Sequence, residues 1–125
     1  MTRVINRTRN TTLADRAEVA DNVWTRGKGL LGRRGLPEGG GLVIEPCSSI
    51  HTFFMAFPID IAFVARDGRV VTTAHALQPW RLGPFARKVR YVVELPAGAL
   101  AKCGTVANDY LDILPAEPVA AAARP

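Results

Sequence analysis

Long apolar runs are missing from this sequence. None approaches the roughly 18 consecutive apolar residues that a membrane-spanning helix needs. The N-terminal MTRVINRTRNTT carries arginines but lacks an apolar stretch followed by a small-residue cleavage site, so it is a poor signal peptide and a cytoplasmic location is expected. Cysteine is scarce too. Cys47 and Cys103 form no CxxC pair and have no histidine at zinc spacing, which excludes a disulfide scaffold and a zinc finger and leaves two thiols. No GxSxG elbow surrounds Ser48 or Ser49, and the glycines of GLPEGGG (35–41) do not fit a phosphate-binding GxxxxGK[ST] loop. Aromatic residues are only 7% of the chain and rarely interleave with the scattered lysines and arginines. The net charge of +5 therefore reads as a solvated surface, with nucleic-acid binding as a lesser alternative.

The 125 residues suffice for one domain, spanning residues 1–114, with a frayed low-complexity tail over 115–125. Eleven glycines and nine prolines favour short strands and turns over long helices. Val4–Ile5 and residues 13–19 pair as a hairpin around Arg9-Asn10-Thr11-Thr12. A helix capped by Asp21 or Asn22 follows, with Val23, Gly27, Leu30 and Leu31 on one face. The glycine-rich 35–41 segment is expected to be a mobile loop. Further strands cover 41–45, 50–55, 59–64, 70–77, 88–95 and 110–114, with one helical turn over 99–103. Asp67-Gly68 between strand-like flanks predicts a two-residue type I′ hairpin. Seven or eight short strands and one helix imply a mainly β domain, an antiparallel sandwich or partly open barrel with the helix over one end.

Three motifs carry a family resemblance: Gly29-Leu30-Leu31-Gly32-Arg33, the run IHTFFMAFPIDIAF (50–63), and Val93-Glu94-Leu95-Pro96-Ala97-Gly98. Together they resemble domain-of-unknown-function family 192, a set of small bacterial and archaeal proteins, across residues 19–113. The resemblance implies a compact, mainly β domain and supplies no reaction. Members often close this region with Gly-Asp, whereas Asn108-Asp109 stands here; asparagine tolerates positive φ, so the turn is expected to survive.

His51 is the first candidate for function, because an imidazole titrates near neutrality and can bind a metal or move a proton. The plainer reading packs its ring among Phe53 and Met55. Asp60 sits in an apolar strand, where a carboxylate is costly unless paired or hydrogen-bonded; an arginine such as Arg33, or loop amides, would hold it. Glu94 carries the same two readings. Trp80 lies in an irregular crossing and, like Trp24, lines a groove or belongs to the core. These residues point to a non-enzymatic domain that binds a small ligand or a protein partner in a groove bordered by His51, Asp60, Arg33 and Trp80, without a cofactor or metal. The alternatives are a hydrolase or metal-assisted enzyme using His51 with Asp60 or Cys47, and a basic nucleic-acid-binding module. A metal held by His51, His75 and Asp60 has suitable ligand types, but nothing in the spacing brings them together.

Overall fold

The computed structural model describes residues 1–22, 33–47, 55–83 and 86–116. The chain opens as expected with a hairpin. Strand β1 (Thr2–Asn6) turns through Asn10, at φ 56°, and pairs antiparallel with β2 (Thr11–Ala20). Strand β3 (Gly40–Ile44) then lies parallel to β2, from Arg16 opposite Gly40 to Ala20 opposite Ile44. A parallel partner requires a crossover rather than a tight turn, and the long connection between β2 and β3 supplies one. The remaining elements are β4 (Ile59–Ala65), β5 (Val70–Leu77), β6 (Val89–Pro96), the short helix α1 (Ala99–Cys103) and β7 (Leu111–Pro115). The strand expected over 50–55 and the helix expected after Asn22 fall largely outside the described residues. Met55 is described, and it is buried outside any strand.

Among the described residues seven strands form one mixed sheet in the order β5-β4-β6-β3-β2-β1-β7. Every pairing but β2–β3 is antiparallel, so the antiparallel expectation holds with one exception. The sheet curls until its edges, β5 and β7, meet at one end. There the Leu111 amide donates to Gly68 O, Val70 N to Asp109 O and Asn108 N to Val70 O, each at 2.8 Å. The result is a half-barrel, closed at that end and open at the other.

Gly68 makes the closure possible. A β-carbon on it would lie 2.6 Å from the Leu111 carbonyl oxygen, and its φ is +95°. The hairpin around it differs from the two-residue expectation. Ala65 N donates to Arg69 O, Gly68 N donates to Ala65 O, and Gly68 alone among Arg66, Asp67 and Gly68 has positive φ. This is a three-residue loop ending on a left-handed glycine, whereas type I′ would require Asp67 to be left-handed too. The Asp67 carboxylate relieves that need by accepting from the Arg69 amide at 3.1 Å.

The curled sheet buries both of its faces. Inside, Val4, Leu13, Ala17, Val43, Val64, Val70, Tyr91, Val93, Leu95 and Leu111 converge on Leu100 and Cys103 of α1, which plugs the barrel. Outside, Ala20, Leu42, Ile44, Ile59, Ile61, Phe63 and Val92 form a second apolar surface against which Leu36, Cys47, Met55 and Phe57 pack. Burial on both faces explains why β4 reads as a continuous apolar run rather than an alternating one. The two cysteines lie on opposite faces of the wall, which keeps them apart as thiols.

The glycine-rich segment is anchored where it joins β3, contrary to the mobile loop expected from composition. Gly39, at φ +80°, accepts from the amides of Asp15 and Arg16, and a β-carbon there would meet Asp15 Oδ1 at 2.6 Å. Gly41 is buried, and a β-carbon on it would come 3.2 Å from the Glu94 carbonyl. These glycines permit close backbone approach, which composition alone does not distinguish from flexibility.

Candidate functional site

Asp60 points into the barrel. It alternates along β4 with Ile59 and Ile61, which face outward, and is fully buried. Its Oδ1 accepts from Ala76 N at 2.7 Å, and its Oδ2 accepts from Gly98 N and Leu100 N at 3.0 Å each. Helix α1 lacks a side-chain cap of its own, because Gly98 precedes it. Asp60 therefore supplies from a neighbouring strand the acceptor that a local serine or aspartate ordinarily provides. It also holds Ala76, which sits at φ 48° in the irregular end of β5. Backbone amides of β5, α1 and the turn before α1, not Arg33, satisfy this carboxylate, and both of its oxygens are occupied in architecture.

Glu94 faces the opposite way. It sits between the inward-facing Val93 and Leu95 on β6, and lies opposite Leu42 on β3 and Ile61 on β4. Glu18 pairs with Leu42 from the other side, so Glu18, Leu42, Glu94 and Ile61 form one row across the outer wall. Adjacent strands lie about 4.8 Å apart, so two carboxylates bracket Leu42 at roughly 10 Å. Arg33 Nη1 donates to Glu18 Oε2 at 2.5 Å, and its charge reaches Glu94.

Only 4% of Glu94 is exposed, and among the described residues its buried Oε2 has no hydrogen-bond partner. Burial pushes its pKa up to about 7, with Arg33 pulling only partly in the other direction. The outer wall thus holds a carboxyl whose pKa burial raises well above the ordinary carboxylate range and whose Oε2 has no partner among the described residues. Such an arrangement is costly to a fold, and perturbed groups of this kind concentrate at functional sites.

Arg33 and Glu18 also border a surface groove of ≈ 340 Å³, together with Arg16, Leu36, Pro37 and Gly41. Of the four residues expected to border one groove, Arg33 lines this one while Asp60 lies inside the barrel. Trp80 is 54% exposed on the connection after β5, and His51 lies outside the described residues. His75 is exposed on β5, and among the described residues no group of three or more His, Cys, Asp or Glu side chains is placed to hold a metal.

A second buried polar cluster ties the barrel's closed end together. Asp109 Oδ2 accepts from Asn6 Nδ2 at 2.9 Å, Arg9 Nε at 2.7 Å and Val106 N at 3.0 Å. Burial would raise the pKa of this carboxyl, but the bonds from Asn6, Arg9 and Val106 and the arginine's charge outweigh it and hold the group below its ordinary range. Asn6 also donates to Thr105 Oγ1 at 3.0 Å, and the preceding Asn108 takes φ 75°, so the turn survives without glycine. Every donor here has its acceptor, which marks the cluster as structural. Sequence reasoning missed it because Asn6 and Arg9 lie 103 and 100 positions from Asp109.

Comparison with known proteins adds a family but no activity. A UPF0127 protein of Pyrococcus horikoshii is 31% identical over 100 residues, covering 76% of this chain and 84% of its own length. A UPF0127 protein of Thermococcus sibiricus is 26% identical over 113 residues, covering 87% and 73%. A crystal structure of a protein of unknown function from Novosphingobium aromaticivorans superposes with a TM-score of 0.75 at 25% identity, covering 89% of this chain and 82% of the other. A putative transcription regulator from Sinorhizobium meliloti has the same fold, with a TM-score of 0.73 at 24% identity over 90% and 91% of the two chains. The family model for DUF192, described as Uncharacterized ACR, matches residues 4–113, and the chain belongs to that family.

Proposed function

We propose that this domain binds a small ligand on the outer wall of its half-barrel, at Glu94 and the adjoining groove bordered by Arg33 and Glu18. One observation carries the reading: the Glu94 carboxyl is buried in an apolar surface, and one of its oxygens has no partner among the described residues. A ligand that places a hydroxyl, amide or amine proton on that oxygen recovers the hydrogen bond the fold leaves unmade. Leu36 and Pro37, which line the groove, suit an apolar ligand body, and Arg33 with Glu18 offers a polar rim. Small-molecule sites commonly combine an apolar lining with a few such placed polar groups.

Thermal denaturation in the presence of small primary amines and alcohols with aliphatic or aromatic bodies tests this reading. Wild type is expected to be stabilised by a subset of these compounds and Glu94→Leu by none of them. Equal stabilisation of both proteins, or none of wild type, contradicts it. A second reading rests on the value near 7, which is where a general acid or base works best. Glu94 would then move a proton on the same bound compound, and chemical change of the compound lost in Glu94→Gln distinguishes this from binding alone.

A further inference from the structure

We infer that the connection between β5 and β6 docks the protein onto an anionic lipid surface. Both strands flank β4 and run antiparallel to it, Ile59 lying opposite Leu77 and Pro96, and Ala65 opposite Val89. The described residues 78–83 and 86–88 therefore belong to a connection whose ends lie about 20 Å apart at strand rise, at opposite ends of β4. This strap displays two large apolar side chains to solvent: Trp80 is 54% exposed and Leu82 72%. Trp80 is held at φ 63°, a conformation a bulky residue seldom adopts without cause.

Charge supplies the complement. Although the cations look scattered over the whole sequence, residues 68–93 contain Arg69, Arg81, Arg87, Lys88 and Arg90 and no aspartate or glutamate. That stretch alone carries a charge of +5, which equals the net charge of the chain. Arg81, Arg87 and Lys88 are exposed, while Arg90 leans toward Glu45 at 3.4 Å. Indole and aliphatic side chains seat at the boundary between headgroups and acyl chains, and lysine and arginine add attraction to anionic lipid. A single-stranded nucleic acid also pairs cations with an aromatic platform, but it has no use for an exposed leucine beside the tryptophan. Leu82 therefore favours the lipid surface. The inference stands apart from the Glu94 site and uses none of its residues.

Co-sedimentation with vesicles of phosphatidylcholine alone and of phosphatidylcholine with phosphatidylglycerol, at low and high salt, provides the test, with anisotropy of a labelled oligothymidylate as comparison. The full chain should bind the anionic vesicles, ignore the neutral ones and detach as salt rises. Trp80→Ala combined with Leu82→Ser should weaken vesicle binding roughly tenfold. Arg87→Ala with Lys88→Ala should weaken it about fivefold per cation removed. Far-UV circular dichroism shows whether each variant keeps its fold, and Leu82→Ser alone, at an exposed position, repeats the test where the double change perturbs it. Failure to bind anionic vesicles at low salt overturns the inference. So does vesicle binding indifferent to Trp80 and Leu82, or oligonucleotide binding tighter than vesicle binding and unaffected by Leu82→Ser.

Discussion

Replacing Glu94 by glutamine keeps the shape of the side chain and removes its charge at every pH. In the folded protein burial lifts the carboxyl from its ordinary 4.5 to about 7, whereas in the unfolded chain it is solvated. The folded state consequently binds more protons between those values, so wild-type stability falls as pH rises through the window and levels off above about 7. This is opposite in sign to a salt-bridged carboxylate. A shift of that size costs about 3 kcal/mol once the group is fully ionised. Urea unfolding at pH 5, 6, 7 and 8 measures it. Wild type should lose roughly 2–3 kcal/mol between the extremes relative to Glu94→Gln. Any fixed cost of seating an amide is the same at each pH and drops out of the comparison. Parallel stability curves for the two proteins would refute the reasoning, since they would mean that Glu94 ionises as freely folded as unfolded.

Asp60→Ala strands three backbone donors and should cost on the order of 3 kcal/mol, with faster hydrogen exchange at the amides of Ala76, Gly98 and Leu100; unchanged exchange at those amides would show that the carboxylate does not hold them. Gly68→Val should destabilise by about 2 kcal/mol or more, because it adds a β-carbon against the Leu111 carbonyl and resists positive φ; an unchanged denaturant midpoint would mean the edges of the sheet do not meet there. Under native conditions a thiol reagent should modify the partly exposed Cys47 first and reach the buried Cys103 only on unfolding, so equal rates would contradict the placement of α1 inside the barrel.

Much of this fold was legible because its signals are local. Alternation or apolar runs marked the strands from Val4 to Leu114, the Asp67-Gly68 pair marked a hairpin, and Pro96-Ala97-Gly98 marked the turn into α1. The hairpin's loop type was misjudged because an aspartate side chain can satisfy the turn in place of a second left-handed residue. The parallel β2–β3 pair escaped because pairing partners depend on where a long connection returns, which periodicity does not encode. The same argument about charge in an apolar strand flagged both Asp60 and Glu94, yet their fates diverge. One meets three amides inside the barrel while the other faces an apolar surface outside, and this follows from the one-residue alternation of side chains across the wall. Strand patterning identified two costly carboxylates; only the three-dimensional neighbours separated Asp60, with three amide donors, from Glu94, whose Oε2 has none among the described residues.

At the outer wall Glu94 is a buried carboxyl whose Oε2 has no partner among the described residues. Following the side-chain carboxyl carbon of Glu94 by NMR from pH 4 to 9 tests this most directly, with Glu94→Gln to assign the signal. The expected midpoint is near 7 in the protein alone, lowered by any amine found to stabilise wild type, because a donor on Oε2 favours the ionised form. A midpoint near 4.5 that no such compound moves would place Glu94 in contact with solvent and remove the basis for the site.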